Sequence, residues 1–240
     1  MIRAVSLDLW ETLIRDRDGD EAARDHIRAC RIGELLSEEH LHVSDEQLYS
    51  SLRSIDVVRR DIREMRGWTL TTDRQIRYVL TQAGVHPSPE LVQILLPRYD
   101  TAILELMPAL VEQDALQWLT VLAEQYPLSI TSNTGKTPGR VLQRVLEELG
   151  ILAPFTHFVF SDEVQSLKPD MGIWLSVATA NDTAPAEIVH VGDSYSLDYE
   201  GARSAGLHAV LFGRRPSVPP TVISVDSLKQ LPTAIQEIDT

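Results

Sequence analysis

Ala4-Val5-Ser6-Leu7-Asp8-Leu9-Trp10-Glu11-Thr12-Leu13 is the stretch on which the reading of the whole chain turns. Ala4 to Leu7 is short, mostly apolar and strand-like, and it ends abruptly at a carboxylate, Asp8, with Thr12 four residues further on. A carboxylate at the C-terminal tip of a buried strand has two uses in an open α/β sheet. It caps the next segment, or it faces the crevice where such sheets hold ligands. The stretch alone leaves both readings open.

Outward from it, the pattern changes twice. From about Asp18 to Leu106 apolar residues recur at helical spacing, through Ile27, Cys30, Leu35 and Leu36, then Leu48, Leu52, Ile55 and Val58. Ser44 with Gln47 reads as a capping box, and Gly84-Val85-His86-Pro87 as a helix stop between two further helices. The expectation is an insert of three or four helices. Its arginines, Arg59, Arg60, Arg63 and Arg66, read either as a solvated helix face or as a basic patch turned toward an anion. From Met107-Pro108 the chain alternates strand and helix, with strands expected at Leu128–Thr131, His157–Phe160, Ile188–Val191, His208–Phe212 and, at an edge, Thr221–Val225. Helices are expected between them, one of them over Tyr199–Ala205, and Arg214 to Pro220 reads as a proline-rich loop. Such alternation means a parallel sheet covered on both faces. Four strands then end in polar or acidic residues on one edge: Asp8, Ser132-Asn133, Ser161-Asp162 and Asp193.

Composition removes several classes of function. A formal net charge of -13 argues against a nucleic-acid backbone as the main partner and against anionic membrane surfaces. No apolar run is long enough to span a bilayer, and the early strand leaves no visible signal peptide. The single cysteine, Cys30, forms no internal disulfide and reads as a small apolar group on a helix face, so a reducing cytoplasm is expected. Only three lysines occur, Lys136, Lys168 and Lys229, so a mechanism that needs one has three candidates.

If Asp8 is a nucleophile, it must be ionised, and the negative charge that develops in the reaction must be neutralised. Gly192-Asp193-Ser194-Tyr195-Ser196-Leu197-Asp198 adds two carboxylates near a neighbouring strand tip. Clustered carboxylates repel unless a hard cation sits among them, and Mg²⁺ fits that role. Lys168, followed by Pro169, supplies a fixed positive charge that also favours ionised Asp8. Ser132 and Asn133 offer donors to phosphate oxygens. Each piece alone is a common dipeptide of turns and caps; all four in this order are far harder to obtain by chance.

In these motifs the chain resembles the haloacid dehalogenase-like hydrolase superfamily over nearly its whole length. The first motif, D-x-D-x-T after a strand, is met by Asp8-Leu9-Trp10-Glu11-Thr12, the second by Ser132 with Asn133, the third by Lys168, and the fourth by Asp193 with Asp198. The resemblance implies a Rossmann-like three-layer α/β core with a parallel sheet, residues 1–14 and 107–240, and an inserted all-helical cap domain, residues 15–106. It further implies a Mg²⁺-dependent phosphatase acting on a small phosphorylated metabolite through an aspartyl-phosphate. Asp8 and Lys168 would be catalytic, and Ser132, Asn133, Trp10 and Thr12 would meet the substrate. The metal would lie between Asp8, the Trp10 carbonyl and Asp193, with Asp198 in support.

One departure stands out. Phosphatases of the family carry an aspartate two residues after the nucleophile as general acid and base, and here that position is Trp10. An indole shuttles no proton at neutral pH, and losing such a group typically lowers the rate about 10²–10⁴-fold. Three readings follow. A phosphatase would take its acid from Glu11, from the cap or from a good leaving group. A metal-free 2-haloacid dehalogenase would need no acid. A non-catalytic relative would use the cleft for binding. Asp193 points to a metal site, against the dehalogenase, and a cap without lysine excludes the family's Schiff-base phosphonatases. Trp10 also reads simply as a space-filling side chain.

Overall fold

The structure, a computed structural model, describes residues 1–66, 68–213 and 218–239, with the side chains of 64–66 excepted. Among these residues the strands are β1 Ala4–Leu7, β2 Ile14–Arg15, β3 Ala109–Leu110, β4 Leu128–Ser132, β5 Phe155–Phe160, β6 Ile188–Gly192, β7 His208–Phe212 and β8 Ser224–Val225. Six of them form one parallel sheet in the order β5-β4-β1-β6-β7-β8. Every residue of β1, β4 and β6 is buried, as expected where helices cover both faces. Val5 pairs with Leu128 on one side and Val189 on the other, and Leu7 with Ile130 and Val191. The chain leaves β1 toward β4 and β5, then returns to the opposite side for β6 and β7. This reversal puts the tips of β1 and β6, and so Asp8 and Asp193, at the switch point where such sheets hold ligands. The fold is Rossmann-like α/β with an inserted all-helical region.

Two features are not legible in the sequence pattern. β2 and β3 form a two-residue antiparallel pair, Ile14 opposite Leu110 and Arg15 opposite Ala109. It brings together the points where the chain leaves the sheet unit and returns to it, and two residues are too few to show a period. The helix expected over Tyr199–Ala205 is instead a π-helical turn, Tyr195–Glu200, running into a short α-helix, Gly201–Ser204. The turn is pinned at its start: Ser194 Oγ accepts from Leu197 N–H at 3.3 Å, and the Ser194 carbonyl accepts from both Asp198 and Tyr199 N–H. The expected edge strand is shorter than the pattern suggests, and the loop at Arg214 to Pro220 lies mostly outside the described residues.

By their contacts, Met1–Arg15, Ala109–Asn133 and Leu146–Thr240 form one compact unit, and Asp16–Pro108 with Thr134–Val145 the other. The second contains α1 Asp20–Glu38, α2 Asp45–Arg66, α3 Thr72–Gln82 and α4 Pro89–Asp100. Ala29, Ile32, Leu36, Leu48, Leu52, Ile55, Ile76, Val79, Leu80 and Leu95 are buried together in its core, each large aliphatic contributing about 1.5–3 kcal/mol. The face of α1 is not the one the spacing suggests. Cys30 is exposed, and the buried N-terminal half carries Arg24, Asp25 and Arg28. Their burial is made possible by pairing: Arg28 reaches Asp25 at 2.9 Å, and the Lys136 ammonium reaches Asp25 at 2.7 Å and Asp56 at 3.0 Å. Ser44 caps α2 by accepting Gln47 N–H at 3.2 Å, but the Gln47 side chain donates to the Ala83 carbonyl, so the capping box is half made. Arg60 and Arg63 are exposed, Arg59 is half-buried against Asp56, and the side chain of Arg66 lies outside the described residues. No described helix is long and apolar enough to cross a membrane.

Candidate active site

The sheet unit gathers three carboxylates, and a lysine lies against two of them. Lys168 Nζ lies 2.5 Å from Asp8 Oδ1 and 2.5 Å from Asp198 Oδ1, and all three side chains are buried. Asp193, half-buried at the end of β6, completes a carboxylate group: one oxygen from each of Asp8, Asp193 and Asp198 lies within 4.8 Å of the others. The Thr12 hydroxyl points to Asp8 Oδ2 at 3.4 Å, a long hydrogen bond. Asp198 is held at both oxygens, Oδ2 accepting Ser194 N–H at 2.9 Å and Oδ1 lying 3.1 Å from His190 Nε2. Gly192 is required by this approach, since a Cβ there would lie 2.4 Å from Asp198 Cγ.

Lys168 is placed by its backbone. Asn133 Oδ1 accepts the Lys168 N–H at 2.8 Å and Asn133 Nδ2 donates to the Lys168 carbonyl at 3.0 Å. The next residue is fixed in turn, with Trp174 Nε1 donating to the Pro169 carbonyl at 3.1 Å. Asn133, expected among the substrate contacts, therefore uses its side-chain amide to hold the lysine loop. Ser132 behaves differently. Its hydroxyl is buried at the tip of β4 with no hydrogen-bond partner among the described residues, which in a native site calls for a ligand or water oxygen. Trp10 is half-buried, and its backbone bridges to Ile14. Glu11, the nearest alternative acid, is exposed and takes a positive φ of 60°.

The electrostatics follow from burial. Desolvation pushes the Asp8 carboxyl up to about 7, Lys168 opposing and the Asp198 charge adding to it. Asp198 moves the other way: burial alone would raise it, but Lys168 and His190 hold it well below the usual carboxylate range. Burial alone would lower the Lys168 ammonium, and the two carboxylates hold it above its ordinary value. The three converging carboxylates offer all-oxygen donors, and donors of this kind suit a hard divalent ion. The residues present thus fit Mg²⁺.

Three buried residues of this region were not among the candidates drawn from the sequence: Ser6, Thr131 and His190. Ser6 Oγ lies 2.7 Å from Thr131 Oγ1 and 2.9 Å from His190 Nδ1. Their signal is visible all the same, since each is a polar residue inside an otherwise apolar strand. Of the other lysines, Lys136 is held within the helical unit and Lys229 sits 5.6 Å over the Trp118 ring.

A family model described as a haloacid dehalogenase-like hydrolase matches residues 2–206. The chain is 29% identical over 218 residues to a glyceraldehyde 3-phosphate phosphatase of Methanopyrus kandleri, an alignment covering 89% of this chain and 85% of that one. In fold it is similar to a 2-haloacid dehalogenase from Pseudomonas syringae pv. Tomato DC3000, with a TM-score of 0.69, 20% identity and coverage of 99% of this chain and 100% of that one. It is also similar to a phosphatase of the same superfamily from Thermococcus onnurineus, with a TM-score of 0.59, 21% identity and coverage of 98% of each chain. With the match spanning four of the six strands of the sheet, the helical insert and every motif residue from Asp8 to Asp198, the chain belongs to the haloacid dehalogenase-like hydrolases.

Proposed function

We propose that the protein is a Mg²⁺-dependent phosphatase that hydrolyses a small phosphorylated metabolite through an aspartyl-phosphate on Asp8. One observation carries this reading: Asp8, Asp193 and Asp198 converge within 4.8 Å of one another, and the Lys168 ammonium lies against Asp8 and Asp198. The Methanopyrus kandleri relative, named a glyceraldehyde 3-phosphate phosphatase, supports a phosphomonoester as the substrate class. The cytoplasm is the proposed setting, on the strength of the single cysteine.

Asp8, Asp193 and the Trp10 carbonyl would hold Mg²⁺, with Asp198 in support, and the bound ion would neutralise charge on the phosphoryl oxygens. The chain's own groups supply the rest. Asp8 attacks phosphorus; an Asp8 oxygen–phosphorus bond forms as the bond to the leaving oxygen breaks and the electron pair departs with that oxygen. Lys168 favours the ionised nucleophile and offsets the charge of the incoming phosphate. The Ser132 hydroxyl, buried without a partner among the described residues, donates to a phosphoryl oxygen. Water then attacks phosphorus, its oxygen–phosphorus bond forming as the bond to Asp8 breaks; Asp8 leaves as the carboxylate, and the water's protons stay with the phosphate or pass to solvent. Trp10 gives the leaving oxygen no proton, so esters with stable leaving groups turn over fastest.

The test is phosphate release from p-nitrophenyl phosphate, a substrate that barely needs a general acid. The expected result is Mg²⁺-dependent turnover, abolished by Asp8→Asn, with much slower rates on alkyl phosphates. Metal-independent chloride release from 2-chloropropionate would establish a dehalogenase instead. Silence in both assays with Mg²⁺ still bound would favour a binding protein.

A further inference from the structure

We infer that His190 is a positioning residue for the hydrolysis, orienting Asp198 and through it Lys168 by a one-way chain of hydrogen bonds that crosses three strands beneath the site. The inference rests on the phosphatase reading above for its kinetic part.

The donor order follows from the partners. Asp198 is ionised and only accepts, so the proton 3.1 Å from its Oδ1 belongs to His190 Nε2. His190 is completely buried, and the carboxylate it faces is already paired with the Lys168 ammonium, so the ring sits there as a neutral imidazole. Nδ1 of a neutral ring that is protonated at Nε2 is a bare acceptor, so the Ser6 hydroxyl 2.9 Å away donates to it. Ser6 has one proton, and it is committed; the Thr131 hydroxyl, 2.7 Å away, therefore donates to Ser6. The order is Thr131 to Ser6 to His190 to Asp198, from β4 through β1 to β6. Register permits it because Ser6 pairs directly with His190 on the neighbouring strand.

Such a chain is costly in a sheet core unless every member is satisfied, and here each link is made. Its terminus is where chemistry would notice it. Asp198 Oδ1 receives both His190 and Lys168, and the same ammonium touches Asp8. The His190 ring is further set by the edge-on Trp174, with centroids 4.7 Å apart, and that tryptophan also holds the Pro169 carbonyl beside Lys168. Loosening the ring thus loosens the carboxylate that shares the lysine with the nucleophile.

Two measurements test this. Long-range ¹H–¹⁵N spectra of wild-type protein, which need no substrate, are expected to show His190 protonated at Nε2 and bare at Nδ1. The opposite tautomer overturns the proposal. In kinetics on p-nitrophenyl phosphate, His190→Leu is expected to lower kcat on the order of 10- to 100-fold with KM little changed. His190→Gln, which keeps a donor facing Asp198, is expected to recover most of the loss. Ser6→Ala, which cuts the chain without touching Asp198, should give a smaller loss in the same parameter should His190→Leu fail to fold. A folded His190→Leu with wild-type kcat, or a change confined to KM, overturns the positioning role. A wild type inactive on every phosphoester removes the phosphatase reading and the kinetic role with it, while the tautomer still reports on the chain itself.

Discussion

Asn133 grips the backbone of Lys168 at both ends of one residue, accepting its N–H at 2.8 Å and donating to its carbonyl at 3.0 Å. The reach of a lysine side chain is thereby fixed at its root, leaving the ammonium to settle between Asp8 and Asp198. Asn133→Asp retains the acceptor but sets a carboxylate oxygen against the Lys168 carbonyl. It is expected to lower kcat on p-nitrophenyl phosphate by an order of magnitude or more, about the effect of a misplaced catalytic group. Steady-state kinetics beside the far-ultraviolet spectrum of the folded variant settle it; unchanged kcat would mean that Lys168 finds its place without the clamp.

Gly192 is the second constraint on the same carboxylates. A Cβ added there would meet Asp198 Cγ at 2.4 Å and Oδ2 at 2.6 Å, so Gly192→Ala must push the carboxyl away from Ser194 N–H and Lys168. The lost charge-assisted bond is worth about 1.5–3 kcal/mol, which is the destabilisation expected in urea. Activity should fall together with stability. A variant as stable as wild type would show that the π-helical turn absorbs the methyl group by moving as a whole.

How much of this is legible in the sequence differs from residue to residue. Ala4–Leu7, Leu128–Ser132 and Ile188–Gly192 are readable as strands because burial on both faces writes an apolar run, and Asp8 and Asp193 stand out as carboxylates at strand tips, with Lys168 and Asp198 in the segments that follow strands. Asn133 is readable as a functional residue but not in its actual role, because the dipeptide announces a donor at a strand end without showing that its amide turns to the lysine loop. Ser6, Thr131 and His190 read as ordinary strand residues, although a polar side chain in a fully buried strand requires a partner. The charged half of α1 is opaque for a plainer reason. Arg24, Asp25 and Arg28 look like a solvated face until Lys136, more than a hundred residues away, is known to lie among them.

That buried cluster gives a stability prediction within the helical unit. Asp25 and Lys136 side chains are fully buried, whereas Asp56, a second partner of Lys136, is about one-third exposed. Lys136→Met removes the charge and leaves Asp25 with Arg28 and Arg53 alone. Removing one partner of a buried pair is expected to cost about 3–5 kcal/mol, and Asp56→Ala, at the wet rim, under about 1 kcal/mol. Chemical denaturation of the two variants compares them directly. Equal effects would mean that Asp25 is sufficiently paired without the lysine.

Trp10 separates a slow phosphatase from one merely lacking its preferred substrate. Trp10→Asp introduces a carboxyl two residues after Asp8, where it can protonate a leaving alkoxide. The expected gain is selective: alkyl phosphates should speed up by up to about 10²-fold, and p-nitrophenyl phosphate hardly at all. Uniform change across both substrates would argue for an effect of size or packing at position 10. No gain in a well-folded variant would mean that proton transfer does not limit the rate.

Asp8 makes stability depend on pH when no divalent ion is present. Its carboxyl is raised from 3.8 to about 7 by burial, with Lys168 opposing and Asp198 adding to the rise. A raised carboxyl binds its proton more tightly folded than unfolded, so the folded state loses stability as pH climbs from about 4 to about 7 and is level on either side of that window. Asp8→Asn carries no such penalty. In EDTA the variant is therefore expected to match wild type, apart from a constant offset, at pH 4 and to gain on it steadily up to pH 7. The ceiling is about 4 kcal/mol, from roughly three pKa units in a buried group. Adding Mg²⁺ at pH 7 should narrow the gap by stabilising the wild-type protein more, since the cation binds the ionised Asp8 carboxylate that the variant has lost. Denaturation curves for both proteins at several pH values, with and without Mg²⁺, measure this. A gap that does not change with pH would mean that Lys168 alone suffices to keep Asp8 ionised.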